Sequence, residues 1–166
     1  MVEIIKLDKS YHQEFIDINK VICENLTNAL WFMPFSEENL KNAFDENSSL
    51  TVYGAKVDGK LACVSVIDKD QSEWLELCDA IGIKSENVAE IGGSMTLPSY
   101  RGQGLMTMVN QKLIEVSKEM GLEYLVATAH PDNIASNKSL AKIGMECKTQ
   151  IMRAGKYLRK VYMMKL

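Results

Sequence analysis

Leu97-Pro98-Ser99-Tyr100-Arg101-Gly102-Gln103-Gly104-Leu105-Met106 joins a strand-like run to a long amphipathic helix. Two glycines stand where the chain must turn, and the helical pattern starts directly behind them. A turn of this kind leaves several backbone N–H groups unpaired in front of the positive end of a helix dipole. That combination makes a pocket for a pyrophosphate, and Arg101 adds a fixed positive charge at its mouth. The helix, expected over residues 103–120, presents Leu105, Met108, Val109, Leu113, Val116 and Met120 as its buried stripe, with Gly121 ending it.

Outward from this turn the chain reads as alternating strands and helices. Residues 88–97 form a strand whose central Gly92-Gly93 pair marks a bulge or a close backbone approach. After the long helix, residues 123–130 form another strand, and Pro131-Asp132-Asn133 opens a short helix to Lys142, stopped by Gly144. Two closing strands, 145–152 and 156–166, meet at a tight Arg153-Ala154-Gly155 connection. Earlier, residues 50–57 and 61–67 flank Asp58-Gly59, a hairpin signal. Residues 2–7 form a strand, and Ser10 caps a helix carrying Phe15, Ile18, Ile22 and Leu26. A second helix starts at Ser36, where Glu37 and Glu38 complement the dipole and Phe35 staples against Leu40. A short helix over 73–81 presents Trp74, Leu77, Cys78 and Ile81. The order describes one mixed α/β domain over residues 1–166, with a strand–helix–strand crossover in its second half.

Composition narrows the classes of function. At 166 residues a single domain buries roughly 70% of its unfolded surface, enough for a full core. A net charge of −3 gives no basic footprint for nucleic acid. Cys23, Cys63, Cys78 and Cys147 lack the spacing of a metal site and read as reduced core thiols. The first residues lack a signal-peptide layout, and the apolar stretches are too short to span a membrane. A soluble cytoplasmic protein, with neither nucleic acid nor membrane as partner, is the expectation.

Three nucleotide-binding signatures compete for the glycine turn. No GxxxxGK string occurs, which removes the P-loop. A dinucleotide GxGxxG fails at Thr107, and the turn follows a β-hairpin late in the chain. The third pattern is Arg/Gln-x-x-Gly-x-Gly/Ala, and Arg101-Gly102-Gln103-Gly104-Leu105-Met106 resembles it except that Met106 replaces the final small residue. Downstream, Asn133-Ile134-Ala135-Ser136 with Leu140, Lys142, Gly144 and Met145 resembles a second signature, Asn-x-x-Ser/Ala…Leu-x-Lys-x-Gly-Phe. Both belong to the GNAT family of N-acetyltransferases, and the resemblance extends over essentially the whole chain.

The resemblance implies the acyl-CoA N-acyltransferase fold: a central, mostly antiparallel twisted sheet with a splayed parallel strand pair and flanking helices. Acetyl-CoA would lie in the splay as cosubstrate. Met95 and Leu97 would offer backbone to the pantetheine arm. Arg101, Gly102, Gln103, Gly104, Leu105 and Met106 would hold the pyrophosphate, with Met106 directed toward the core. Asn133 would bond the pantetheine region, Asn137 one turn on would be a second contact, and an N-cap role for Asn133 is compatible with this. The implied reaction is direct attack by a primary amine of a small molecule or exposed peptide within a ternary complex. The alternatives are a non-catalytic acyl-CoA sensor and a partner-binding domain that has lost the cofactor.

The chemistry asks for a neutral amine, an oxyanion donor and a proton for the leaving thiolate. A lysine-like amine with a pKa of about 10.4 costs roughly 4–5 kcal/mol to neutralise at pH 7, so a general base helps. Glu90 is the base candidate, with a structural glutamate as the equal reading. Leu140 stands where the family carries a tyrosine, which leaves Tyr157, Tyr162, His130 or water as the acid. A backbone N–H on the splayed strand would meet the oxyanion. Trp31, Phe32 and Trp74 are candidate acceptor contacts, although the Trp31-to-Phe35 cluster also reads as a core-facing loop. Glu73, Glu76 and Asp79 either attract a cationic amine or form a solvated helix face. Homodimerisation through a sheet edge or the closing strands is left open.

Overall fold

In the computed structural model, which describes residues 1–166, Asp58-Gly59 closes a two-residue hairpin between β2 (Leu50–Val57) and β3 (Lys60–Asp68). β1 (Val2–Lys6) pairs antiparallel with β2, and β4 (Val88–Thr96) pairs antiparallel with β3. β5 (Tyr124–Ala129) joins β4 in parallel, and β6 (Glu146–Arg153) and β7 (Tyr157–Lys165) close the sheet in the order β1-β2-β3-β4-β5-β7-β6. The sheet is thus antiparallel but for one pair, as the resemblance implies.

Period-two alternation assigns each strand residue to one of two faces. Val64, Val66 and Met95 pack with Phe15, Ile18 and Ile22 of α1 (His12–Glu24). Val88, Val126 and Val161 pack with Trp74, Leu77 and Cys78 of α3 (Gln71–Ile81). The opposite face belongs to α4 (Leu105–Glu119) and α5 (Ile134–Lys142): Leu105 and Val109 meet Cys63, and Leu113, Val116 and Leu140 meet Ala89, Ile91, Leu125 and Ala127. No helix is long and apolar enough to cross a membrane.

Several local expectations change. Ser10 does not cap the first helix. Asp8 caps a 3-10 turn over Lys9–Tyr11, its Oδ1 accepting from the Ser10 N–H at 2.8 Å and from the Ser10 hydroxyl at 2.6 Å. α1 then ends before Leu26. Ser36 does cap α2 (Glu37–Asn42), accepting from Asn39 N–H at 3.0 Å. Met108 and Met120 are exposed rather than part of the stripe: at 100° per residue Met108 lies about 60° from Leu105 on the side away from Val109, and Met120 sits at the C-cap. Cys63 and Cys78 are buried, and burial pushes their thiols up to about 11, whereas Cys147 is exposed.

One distortion shapes the rest of the molecule. Val64 pairs Met95 while Val66 pairs Gly92, so β4 carries one residue more than β3 over this stretch. The bulge falls at Gly93, whose φ is +53°. Ser65 stitches it from β3, donating to the Gly92 carbonyl at 3.4 Å and lying 2.8 Å from the Ser94 hydroxyl. A Cβ on Gly93 would sit 2.1 Å from Phe35 Cζ, in a ring that also packs edge-on against Phe15. Left-handed backbone and overpacking together should make Gly93→Ala lose about 2–4 kcal/mol. Urea unfolding checks this, and an unchanged midpoint would mean that the bulge relaxes freely.

Candidate functional site

The bulge bends β4 away from β5. The two strands pair only at Val88↔Tyr124, Ala89↔Leu125 and Glu90↔Val126, then diverge. A cleft of about 670 Å³ opens beside the divergence, lined by Ser94, Met95, Thr96, residues 100–107 and the start of α5. It continues inward to a smaller space of about 110 Å³ between the strands. Trp31 and Phe32, from the loop between α1 and α2, line both parts.

The glycine turn forms one wall. Gly102 and Gly104 have φ of +77° and +75°, and a Cβ on either would meet nothing within 4 Å. The first N–H bonded within the turn-helix junction is that of Met108, to the Gly104 carbonyl at 3.1 Å; the N–H groups of residues 102–107 have no protein acceptor. They open onto the cleft at the positive end of α4. Arg101, Gln103, Leu105 and Met106 also line it. Met106 packs at the same time against the cluster of Ala55, Cys63 and Leu105.

The backbone of β4 is arranged differently from the sequence expectation. Leu97 N–H donates to the Ala62 carbonyl at 2.9 Å. In an antiparallel pair hydrogen-bonding groups alternate in direction along the strand, so Met95 and Leu97 turn their backbone toward β3. Ser94 and Thr96 turn theirs toward the cleft. Met95 reaches the cleft from within the α1-side core, and Leu97 does not line it.

Asn133 caps α5, its Oδ1 accepting from Ser136 N–H at 3.3 Å, and lines both parts of the cleft. Asn137 is committed elsewhere: its amide donates to the carbonyls of His130 (2.9 Å) and Asn133 (2.8 Å), and its Oδ1 accepts from the Tyr162 hydroxyl at 2.6 Å. Neither Asn137, Tyr162, Tyr157 nor His130 lines the cleft. Burial pushes the Tyr162 hydroxyl up from its ordinary value. His130 stacks on Trp31 at 6.1 Å and accepts the Asp132 N–H at Nδ1, which puts its ring proton on Nε2. Trp74 lies in the α3 core, away from the cleft.

Glu90 is the one carboxylate lining the cleft, and it is buried. Both its oxygens accept from Arg153, at 2.6 Å each. Burial pushes its carboxyl above the usual range, while the guanidinium pulls it back; two charge-assisted bonds hold the ionised form. Arg153 also donates to Thr128 Oγ1 at 3.2 Å and to the Glu73 carbonyl at 2.8 Å, with the Glu73 carboxylate 3.7 Å away. Glu76 accepts from Ala154 N–H at 3.3 Å. Glu73 and Glu76 therefore hold the β6–β7 turn to α3.

Arg153 and Arg159 both line the inner cleft; they lie in the segment 153–162 that the resemblance implies as part of the acceptor pocket, but the sequence singles out neither as a site residue. Their signal is parity: each stands two residues from an inward-facing residue, Ile151 or Val161, and so on the same face, where apolar residues are the rule. Three buried polar atoms without a protein partner also belong to cleft-lining residues: Trp31 Nε1, Asn110 Oδ1 and Ser139 Oγ. Lys138 and Lys142 add positive charge to the outer wall. Unpaired N–H groups, an open glycine turn and unsatisfied polar atoms together suit a long, phosphate-bearing ligand.

Comparison with known proteins agrees with this geometry. The family model described as "Acetyltransferase (GNAT) family" matches residues 17–145. No curated protein matches by sequence. Among solved structures, an acetyltransferase of the GNAT family from Streptococcus pneumoniae superposes with a TM-score of 0.73 at 15% identity, covering 100% of both chains. The yncA protein of Salmonella typhimurium, solved with its cofactor acetyl-CoA, gives 0.73 at 16% identity, covering 99% of this chain and 94% of that one. The ribosomal-protein-S18-alanine N-acetyltransferase of Escherichia coli gives 0.70 at 15% identity, with coverage of 99% and 94%.

Proposed function

The chain belongs to the acetyltransferase (GNAT) family, and from that membership we propose that it transfers an acetyl group from acetyl-CoA to a primary amine of a small molecule or exposed peptide. The observation that carries this reading is the run of unpaired N–H groups over residues 102–107, opening onto a cleft large enough for an extended cofactor. Those groups would hold the pyrophosphate, Lys138 and Lys142 would supply countercharge, and Ser94, Thr96 and Asn133 would border the pantetheine arm. When bound, acetyl-CoA supplies the activated acyl group. The acceptor amine would attack it directly, approaching from the α1–α3 face of the splay.

The proton inventory departs from a simple base–acid pair. Glu90 is bound at both oxygens by Arg153, so its role is to anchor that guanidinium at the inner end of the cleft. No tyrosine but Tyr100 lines the cleft, and the position of the family tyrosine is taken by Leu140, itself buried. With no other acid or base in the inner cleft, water would take the amine proton and would return one to the thiolate. The same departure favours a second reading, a non-catalytic acyl-CoA sensor.

A thermal shift with acetyl-CoA, with ATP and NAD as controls, tests the cofactor. At a hundred times Kd the expected stabilisation is about 2.7 kcal/mol, roughly 5–10 °C for a domain of this size. No shift at saturating acetyl-CoA in folded protein removes the proposal. Amine-dependent release of free CoA thiol then separates enzyme from sensor.

A further inference from the structure

The inner end of the cleft holds two guanidinium groups with unequal partners. Arg153 is matched by Glu90 on both of its terminal nitrogens. Arg159 is 97% buried, since only 3% of its surface is exposed, yet no carboxylate lies within 4.0 Å of it. Its contacts are one hydrogen bond from Nη1 to the Leu158 carbonyl at 2.8 Å and the Tyr157 ring, 5.2 Å from Cζ. Burial, and then the like charge of Arg153, pull its pKa below the ordinary value. A guanidinium cannot lose its proton to escape this cost, as a lysine would. A buried charge left unmatched in a cleft is a group awaiting an anion.

The position tells which ligand supplies it. Arg159, Glu90, Thr128 and Arg153 share the parity of Val88, Val126 and Val161, and so stand on the α3 face of the sheet. The glycine turn and α4 belong to the opposite side. The Arg159 end is roofed by Trp31 and Phe32, and its space of about 110 Å³ suits a small planar group.

Resting on the acetyl-transfer reading, we infer that the acceptor is an amine that also carries a carboxylate, an amino-acid-like zwitterion, and that Arg159 binds that carboxylate. A carboxylate accepts two parallel bonds from a guanidinium fork, which fixes the direction in which the neighbouring amine points. Polycationic amines are disfavoured, because two guanidinium groups face them and the only lining carboxylate is already engaged.

The test uses the full chain and matched acceptors: L-phenylalanine against phenethylamine and L-methionine against 3-(methylthio)propylamine, with spermidine as the polycation. Binding of N-acetyl-L-phenylalanine and N-acetylphenethylamine to the CoA-saturated protein provides a readout independent of turnover. The carboxylated member of each pair should be favoured by about 10- to 100-fold, as expected for a charge-assisted pair. The preference should collapse in Arg159→Met and survive in part in Arg159→Lys. An undiminished acetyl-CoA thermal shift in these variants shows that they are folded. Absence of any carboxylate preference in both readouts overturns the inference while leaving acetyl-CoA binding intact; absence of the acetyl-CoA shift in the unaltered protein overturns the underlying reading. A preference for succinyl-CoA over acetyl-CoA that Arg159→Met removes would assign the carboxylate to the acyl group, and would also overturn it.

Discussion

Gly104→Glu is expected to abolish acetyl-CoA binding in a protein that still folds. Gly104 is the N-cap of α4 with φ of +75°, and its missing side chain points into open cleft rather than into the core. A non-glycine residue there costs about 1–2 kcal/mol of backbone strain, tolerable in a domain stable by about 5–15 kcal/mol. The added carboxylate would occupy the space in front of the free N–H groups of residues 102–107 and place its negative charge against that of the pyrophosphate. Each hydrogen bond to a charged group is worth about 1.5–3 kcal/mol, so losing two lowers affinity roughly 100-fold or more. Gly104→Asn separates the causes, since asparagine tolerates left-handed backbone and carries no charge. It should keep measurable binding. Calorimetric titration with acetyl-CoA reads both variants, and unchanged affinity in folded Gly104→Glu would place the phosphate elsewhere.

The turn could be read from sequence because its function rests on backbone. Two glycines before an amphipathic stripe suffice to predict unpaired N–H groups, whatever the surrounding side chains do. The Gly92-Gly93 bulge was legible for the same reason: few other features explain paired glycines inside a strand. The side-chain lining was less legible. Asn137 reads as a ligand by its spacing from Asn133, yet it satisfies the loop after β5 and the Tyr162 hydroxyl. Glu90 and Arg153 are 63 residues apart and meet only once β4, β5, β7 and β6 are ordered in one sheet. Nothing local distinguishes Arg153 from a solvated turn residue. Only the parity of β6 and β7, once the inward face is known, shows that Arg153 and Arg159 must be buried.

Glu90→Gln should cost up to about 3–5 kcal/mol of stability, because it removes the closest countercharge of buried Arg153 and leaves only the half-exposed Glu73 carboxylate, 3.7 Å away. Glutamine keeps the shape and one acceptor, so the loss isolates charge from packing. Replacing both partners in Glu90→Leu/Arg153→Met should recover most of it, since apolar substitutes for a buried ion pair are often neutral. The single variant Arg153→Met differs in kind. An unpaired carboxyl can take up a proton, which a guanidinium cannot shed, and burial already pushes Glu90 upward. Without Arg153 its folded pKa rises further above the unfolded value of about 4.3. An acid whose folded pKa is raised binds more protons folded than unfolded across that interval, so stability falls as pH rises through it. Arg153→Met, referenced to the unaltered protein, is therefore expected to be nearly intact near the lower end of the interval and to weaken toward neutral pH. Glu90→Gln, with no titrating group at that position, should show the same deficit at both. Urea denaturation at pH 5 and pH 8 checks the contrast. Equal pH dependence in the two variants would mean that Glu90 is already solvated, and that the ion pair does not hold the β6–β7 turn over the cleft.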